Sequence, residues 1–174
     1  MYSLAINCSG SPWWTNDMNF PKQRKNVRLS AFDYSTNGYY FITNNTDYSK
    51  PYINGIVKNI VKQELLDLEK RFSGVSIYYY SFMPTHVHVI LELNNSNATV
   101  SEIWPVYKSK STVVIKKNGH TDKRFWQRNF YEHVIRNERA LERIVLYIRN
   151  NPFKEELPLN AIYGDRIPNL VINE

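Results

Sequence analysis

The sequence predicts an α+β fold: an antiparallel sheet with helices packed on one face and the other face open for a site. Three observations predict it. The stretch Val75 to Leu93 reads as two β-strands joined at Met83-Pro84-Thr85. It is rich in β-branched and aromatic residues, and its second half alternates in character. Asn54 to Phe72 places Ile56, Val57, Ile60, Val61, Leu65, Leu68 and Phe72 at three- and four-residue spacing, the period of an amphipathic helix. The same period returns late in the chain in Leu141, Ile144, Val145 and Ile148.

The remaining elements fall around these. Residues 1–30 read as an N-terminal arm with Pro12, Pro21 and the pair Trp13-Trp14. The two tryptophans are too apolar to stay free, so the arm is expected to pack on the domain. Its Lys22, Arg24, Lys25 and Arg28 form a basic cluster suited either to phosphates or to a solvated tether. Gly38 to Thr43 is β-branched and aromatic and reads as a first strand. Gly74 stands where a glycine ends the first helix. Val100 to Lys117 reads as a second helix, with Ile103, Val106, Tyr107, Val114 and Ile115 as its stripe and Pro105 fitting only its first turn or a kink. Phe125 to Ile135 reads as another strand, with Tyr131, His133 and Ile135 on one face. Asn137 caps a last helix that is expected to stop near Asn151, because Pro152 disfavours helical geometry before it. The order β-α-β-β-α-β-α is the split β-α-β, ferredoxin-like arrangement plus a C-terminal helix. One domain over residues 31–155, with a tail at 156–174, accounts for the length.

Composition narrows the function. The 174 residues are 43% hydrophobic and 22% charged, the balance of an ordinary globular domain. Cys8 alone excludes an intramolecular disulfide. No apolar run has the roughly 18–20 residues of a membrane helix, and no signal peptide opens the chain, so a cytoplasmic, bacterial setting is expected. A net charge of +6 favours a polyanionic partner. Thirteen Tyr and four Trp suit unpaired bases, which stack on aromatic faces, although strands also favour these residues.

The chemistry centres on His86 and His88. On a strand they share a face, while Val87 and Val89 point into the core. Two imidazoles on one sheet face are half a metal site. On the last helix, Tyr147 lies roughly 110° from the centre of the apolar stripe and Asn151 roughly 70°, on the same side. They are therefore neighbours at one edge, a turn apart. A divalent cation held by two histidines and an amide polarises a phosphodiester for in-line attack. Attack by tyrosine gives a phosphotyrosine and a free 3′-hydroxyl. Each signal has a plain structural alternative. His-x-His arises by chance on strands, a helical tyrosine beside a stripe packs, an asparagine before proline ends a helix, and His133 alone is a satisfied histidine.

In combination these residues resemble a known family. His86-Val87-His88, preceded by Met83-Pro84, is similar to the HUH motif (histidine, hydrophobic, histidine) of the single-tyrosine HUH transposases. The block from Phe125 to Asn137, with Trp126-Gln127-Arg128 at its head, resembles a signature of the REP-associated tyrosine transposases. So does Tyr147-Ile148-Arg149-Asn150-Asn151-Pro152. Phe32-Asp33-Tyr34-Ser35 and Gly38 to Thr43 resemble the start of that branch. The resemblance implies that His86, His88 and Asn151 bind Mg²⁺ or Mn²⁺ and that Tyr147 is the nucleophile. It implies a substrate of single-stranded, hairpin or palindromic DNA that is nicked and rejoined. Imidazole pairs by themselves suggest a softer ion.

Two departures stand out. Thr85 occupies a position where the family often has Asn. After the first strand, Thr43-Asn44-Asn45-Thr46-Asp47-Tyr48 lacks the arginine that commonly follows, so any DNA contact there must differ. For DNA contacts the candidates are Lys108, Lys110, Arg124, Arg128 and Arg136 for phosphates, with Trp126 as a surface for a base. His133 is a candidate active-site neighbour. Two other functions remain open. One is a domesticated single-stranded DNA-binding module without cleavage, and the other is a metal-dependent hydrolase that uses water. The sequence does not decide between homodimer and monomer.

Overall fold

The computed structural model describes residues 37–154. The arm at 1–30, its basic cluster and tryptophans, the Phe32-Asp33-Tyr34-Ser35 segment and the tail at 156–174 lie outside the described residues.

Four strands form one antiparallel sheet: β1 (Gly38–Asn45), β2 (Val75–Phe82), β3 (His86–Leu93) and β4 (Tyr131–Ile135). Their order across the sheet is β2-β3-β1-β4. This is the expected split β-α-β arrangement, with β3 inserted between the first two strands. Four helices accompany it: α1 (Gly55–Leu66), α2 (Leu68–Arg71), α3 (Val100–Lys117) and α4 (Glu138–Lys154).

Alternation sorts the side chains. Tyr40 and Ile42 of β1 and Val87, Val89, Leu91 and Leu93 of β3 face α1 and α3. There they bury against Val61, Leu65, Ile103, Trp104, Tyr107 and Ile115. The opposite face carries Phe41, Tyr79, Ile90 and Ile135, which pack against Leu141, Ile144, Val145 and Ile148 of α4. A register shift between Ile77 and Tyr79 lets β2 change which residues it offers to each side. The second face is therefore not bare: α4 lays its apolar stripe across it. The helix starts beside the β4 end at Ile135, which pairs with Tyr39, and runs toward the end where Asn45 pairs with His86.

Several elements differ in detail from expectation. The first helix breaks at Asp67, whose carboxylate accepts from Gln63 Nε2 and Lys70 Nζ, both at 3.0 Å. It resumes as α2 for one turn. Gly74 has φ +73°, and a Cβ there would stand 2.3 Å from the Asn94 carbonyl oxygen, so no other residue fits without a shift. Asn137 caps α4 as expected, its Oδ1 accepting from the Ala140 N–H at 2.9 Å. The helix nevertheless runs past Pro152 to Lys154. Only its last turn is affected, where a missing N–H removes one hydrogen bond. The strand expected from Phe125 shrinks to Tyr131–Ile135, and Phe125 and Trp126 instead drop into the helix-side core.

Candidate functional site

β3 sets the site. His86 and His88 project from the face that α4 covers, while Val87 and Val89 between and beyond them are fully buried on the other. The histidines are thus not under α1 and α3, and the sequence-based placement holds. Cross-strand register pairs His88 with Thr43 on β1 and with Ser81 on β2.

Hydroxyl groups orient both imidazoles. Thr43 Oγ1 lies 2.8 Å from His88 Nδ1. Thr85 Oγ1 lies 2.9 Å from His86 Nδ1. With both Nδ1 atoms engaged, the Nε2 atoms turn toward each other and sit 3.2 Å apart. Asn151 reaches down from α4 to bring Nδ2 within 3.3 Å of His86 Nε2. Ser81 is buried opposite His88, and its Oγ has no hydrogen-bond partner among the described residues.

Burial keeps this pair uncharged. It pulls the His86 pKa down to about 4. His88 is held well below the ordinary histidine range by burial first and by the neighbouring His86 second. When both Nδ1–H groups donate to the threonine oxygens, two Nε2 lone pairs face one another, an arrangement that a cation satisfies and burial denies a proton. Neutral imidazoles with a fixed tautomer are the ligand form a metal needs. Among the described residues no three His, Cys, Asp or Glu side chains gather at one point. The third polar group at this point is the Asn151 amide, which presents either an N–H or, after a half-turn, an oxygen.

Tyr147 stands one turn before Asn151 on α4. Its ring lies 5.3 Å from that of His88 and 6.1 Å from that of Phe41, edge-on to both. It is only 8% exposed. The sequence places it at the margin of the buried stripe. The structure instead makes it a wall of the apolar layer, because Phe41 and His88 rise from the sheet to meet it. Tyr131 closes the β4 side, with its ring 6.3 Å from Phe41.

The other candidates fare unevenly. Trp126 is buried, its Nε1 donating to Ser111 Oγ at 2.9 Å, so it offers no surface to a base and is a core residue. Lys108 donates to the carbonyls of Gln127 and Arg128, the latter at 2.8 Å. Burial, with Arg124 nearby, lowers its pKa to about 8. It ties down the segment leading to β4 and is not a free phosphate contact. Arg124 is exposed and 3.9 Å from Asp47. Lys110, Arg128 and Arg136 are exposed. His133 lies on the site face opposite Phe41, half-buried at the β4 edge. Burial, and Arg136 after it, lower its pKa. It is one strand removed from His88 and is not among the groups that converge there. Sequence reasoning missed Thr43, whose contact with His88 depends on cross-strand register. Thr85 was visible only as a departure from a motif, and it is the hydroxyl that orients His86.

The family described as "Transposase IS200 like" matches residues 34–151. An uncharacterized protein of Haemophilus influenzae is 28% identical over 159 residues, covering 74% of this chain and 88% of the relative. Among solved structures, a REP-associated tyrosine transposase bound to a REP hairpin superposes with a TM-score of 0.63 at 23% identity, covering 74% of each chain. A putative transposase from Deinococcus radiodurans gives a TM-score of 0.51 at 18% identity, covering 71% of this chain and 95% of that one. Both share the fold. Among the described residues no helix is long and apolar enough to cross a membrane.

Proposed function

Because the chain belongs to the IS200-like transposase family, we propose that it nicks and rejoins single-stranded hairpin DNA through a covalent 5′-phosphotyrosine on Tyr147. The observation that carries this reading is the convergence of His86, His88 and Asn151 beside the Tyr147 ring. His86 and His88, with Asn151, are the residues that would hold Mg²⁺ or Mn²⁺. Such an ion supplies positive charge to the phosphate oxygens of the scissile group.

The chain's own residues do the rest. Thr43 and Thr85 fix the two imidazoles so that their Nε2 atoms face the site. Phe41 and the α4 stripe hold the Tyr147 ring edge-on to His88. Tyr147 Oη forms a bond to phosphorus as the P–O3′ bond breaks. The phenol gives up a proton and the departing oxygen takes one up, so the step is neutral in protons. The phosphodiester energy is kept in the tyrosyl ester, and a 3′-hydroxyl reverses the step without an external energy source.

The solved REP-associated tyrosine transposase that shares this fold is bound to a REP hairpin, which supports hairpin DNA as the substrate class. The test is incubation of the protein with single-stranded hairpin DNA and Mn²⁺, followed by denaturing electrophoresis. Wild type is expected to form a protein–DNA adduct, and Tyr147→Phe none. An adduct that survives Tyr147→Phe rejects the assigned nucleophile. Salt-sensitive binding without any adduct or metal dependence identifies a binding module, and release of both DNA ends without an adduct identifies a water-using hydrolase.

A further inference from the structure

Tyr48 is the most exposed large side chain with apolar surface among the described residues, 84% exposed. It sits in the short 3₁₀ turn Asp47–Ser49 that follows β1, and both Tyr48 and Ser49 adopt φ +53°. Two consecutive left-handed positions ordinarily fall to glycine or asparagine, because a Cβ crowds the backbone there. An aromatic residue in that conformation is locally unfavourable, and strain of this kind concentrates at functional sites.

The turn is not a loose tip. Thr46 N–H and Thr46 Oγ1 both donate to the Thr85 carbonyl, at 2.9 Å each. Thr46 Oγ1 also lies 2.6 Å from the Lys50 carbonyl. Asp47 N–H donates to the Phe125 carbonyl at 2.7 Å, and Gln127 N–H to the Asn45 carbonyl at 3.0 Å. Thr85 is the residue whose hydroxyl orients His86. The Tyr48 backbone is thus pinned to the same end of the sheet as the two histidines, with its ring left in solvent. Exposed cations lie beside the turn: Lys50 follows it directly in the chain, and the Arg124 guanidinium is 3.9 Å from the Asp47 carboxylate. Lys50 is held 3.1 Å from Asp122, and the Tyr52 hydroxyl bonds the same carboxylate, which fixes the neighbouring segment.

A solvent-facing aromatic ring on a pinned backbone turn, with cations on the adjoining residues, suits a flat, apolar group carried on an anionic backbone. We propose that Tyr48 is a stacking platform for one unpaired nucleobase in the strand flanking the bound hairpin, and so sets where that strand lies relative to His86 and His88. This rests on the DNA reading given above. Stacking needs only a π-face, so the contact is tolerant of base identity and sensitive to whether the nucleotide is unpaired.

The test uses the full chain and two DNAs, a hairpin with single-stranded flanks and the same hairpin cut flush. Flanked hairpins carry 2-aminopurine at successive flank positions. Wild type is expected to bind the flanked hairpin more tightly and to perturb the fluorescence at one position. Tyr48→Ala is expected to lose that signal and to weaken flanked-hairpin binding about tenfold, with flush-hairpin binding unchanged. Tyr48→Trp is expected to restore both. Tyr48→Gly separates this role from a structural one, because it relieves the left-handed conformation: it should melt no lower than wild type and still bind the flanked DNA as weakly as Tyr48→Ala. Equal binding of both DNAs by wild type and Tyr48→Ala, in a protein that still forms the Tyr147 adduct, overturns the platform and leaves the nuclease reading intact. Failure of wild type to bind either DNA overturns both.

Discussion

Thr43 on β1 and His88 on β3 are joined across the sheet, Oγ1 to Nδ1 at 2.8 Å. That one contact holds the ring angle of a buried imidazole. Outer partners of this kind commonly tune metal affinity ten- to a hundredfold. Thr43→Val keeps the β-branched shape and removes the hydroxyl. It is expected to weaken Mn²⁺ binding by about tenfold or more, read by titration with the spin signal of the free ion, with the far-UV spectrum unchanged. Unaltered Mn²⁺ affinity would show that the hydroxyl does not orient a ligand.

Tyr147 combines packing with proposed chemistry, and two substitutions separate them. Tyr147→Phe keeps the ring against Phe41 and His88. It should abolish adduct formation while changing stability by no more than about 1 kcal/mol. Tyr147→Ala empties that space and should cost about 3 kcal/mol in urea unfolding. If the two variants are equally destabilised, the ring is not part of the packed layer.

Acid should loosen the metal-free protein in a defined window. An unfolded histidine titrates near 6.5, whereas His86 in the fold titrates at about 4. Between those values the unfolded chain takes up a proton that the folded site refuses, so stability falls as pH falls. Above the upper value the pair contributes no pH dependence. Each unit of difference is worth about 1.4 kcal/mol. His86→Gln should flatten the slope of urea stability between pH 6.5 and 4. An unchanged slope would place the acid sensitivity elsewhere.

Trp126 and Arg128 are near neighbours in sequence with opposite expectations. Trp126→Ala removes a buried ring and its bond to Ser111, and should cost about 3–5 kcal/mol of stability. Arg128→Ala touches an exposed side chain and should leave stability within about 0.5 kcal/mol. It should also lower the salt dependence of DNA binding by about one phosphate contact. Weaker binding by a stably folded Trp126→Phe, at unchanged salt slope, would return Trp126 to the DNA surface.

What was legible in the sequence follows from how local each signal is. The helix stripes, the Asn137 cap and the Met83-Pro84-Thr85 hairpin depend on residues a few positions apart, and they appear where the spacing puts them. The shared face of His86 and His88 follows from strand alternation alone. The hydroxyl partner of His88 does not, because Thr43 meets it through register. Trp126 and Lys108 were misplaced for a related reason. An aromatic beside arginines, or a lysine on a basic helix, looks like surface until the chain's return shows what it covers. Lys108 holds two carbonyls nineteen and twenty residues away.

The placement of α4 also has a meaning in time. The hairpin that carries His86 and His88 closes between adjacent strands, a short-range event. β1 can complete its pairing only when β4 arrives from far along the chain, and α4 follows β4 directly. During synthesis Tyr147 and Asn151 therefore emerge after the histidines they are to join. Until α4 docks, the sheet displays two imidazoles without a nucleophile. The order of the chain itself keeps the proposed cutting activity silent in a chain whose last helix is not yet made.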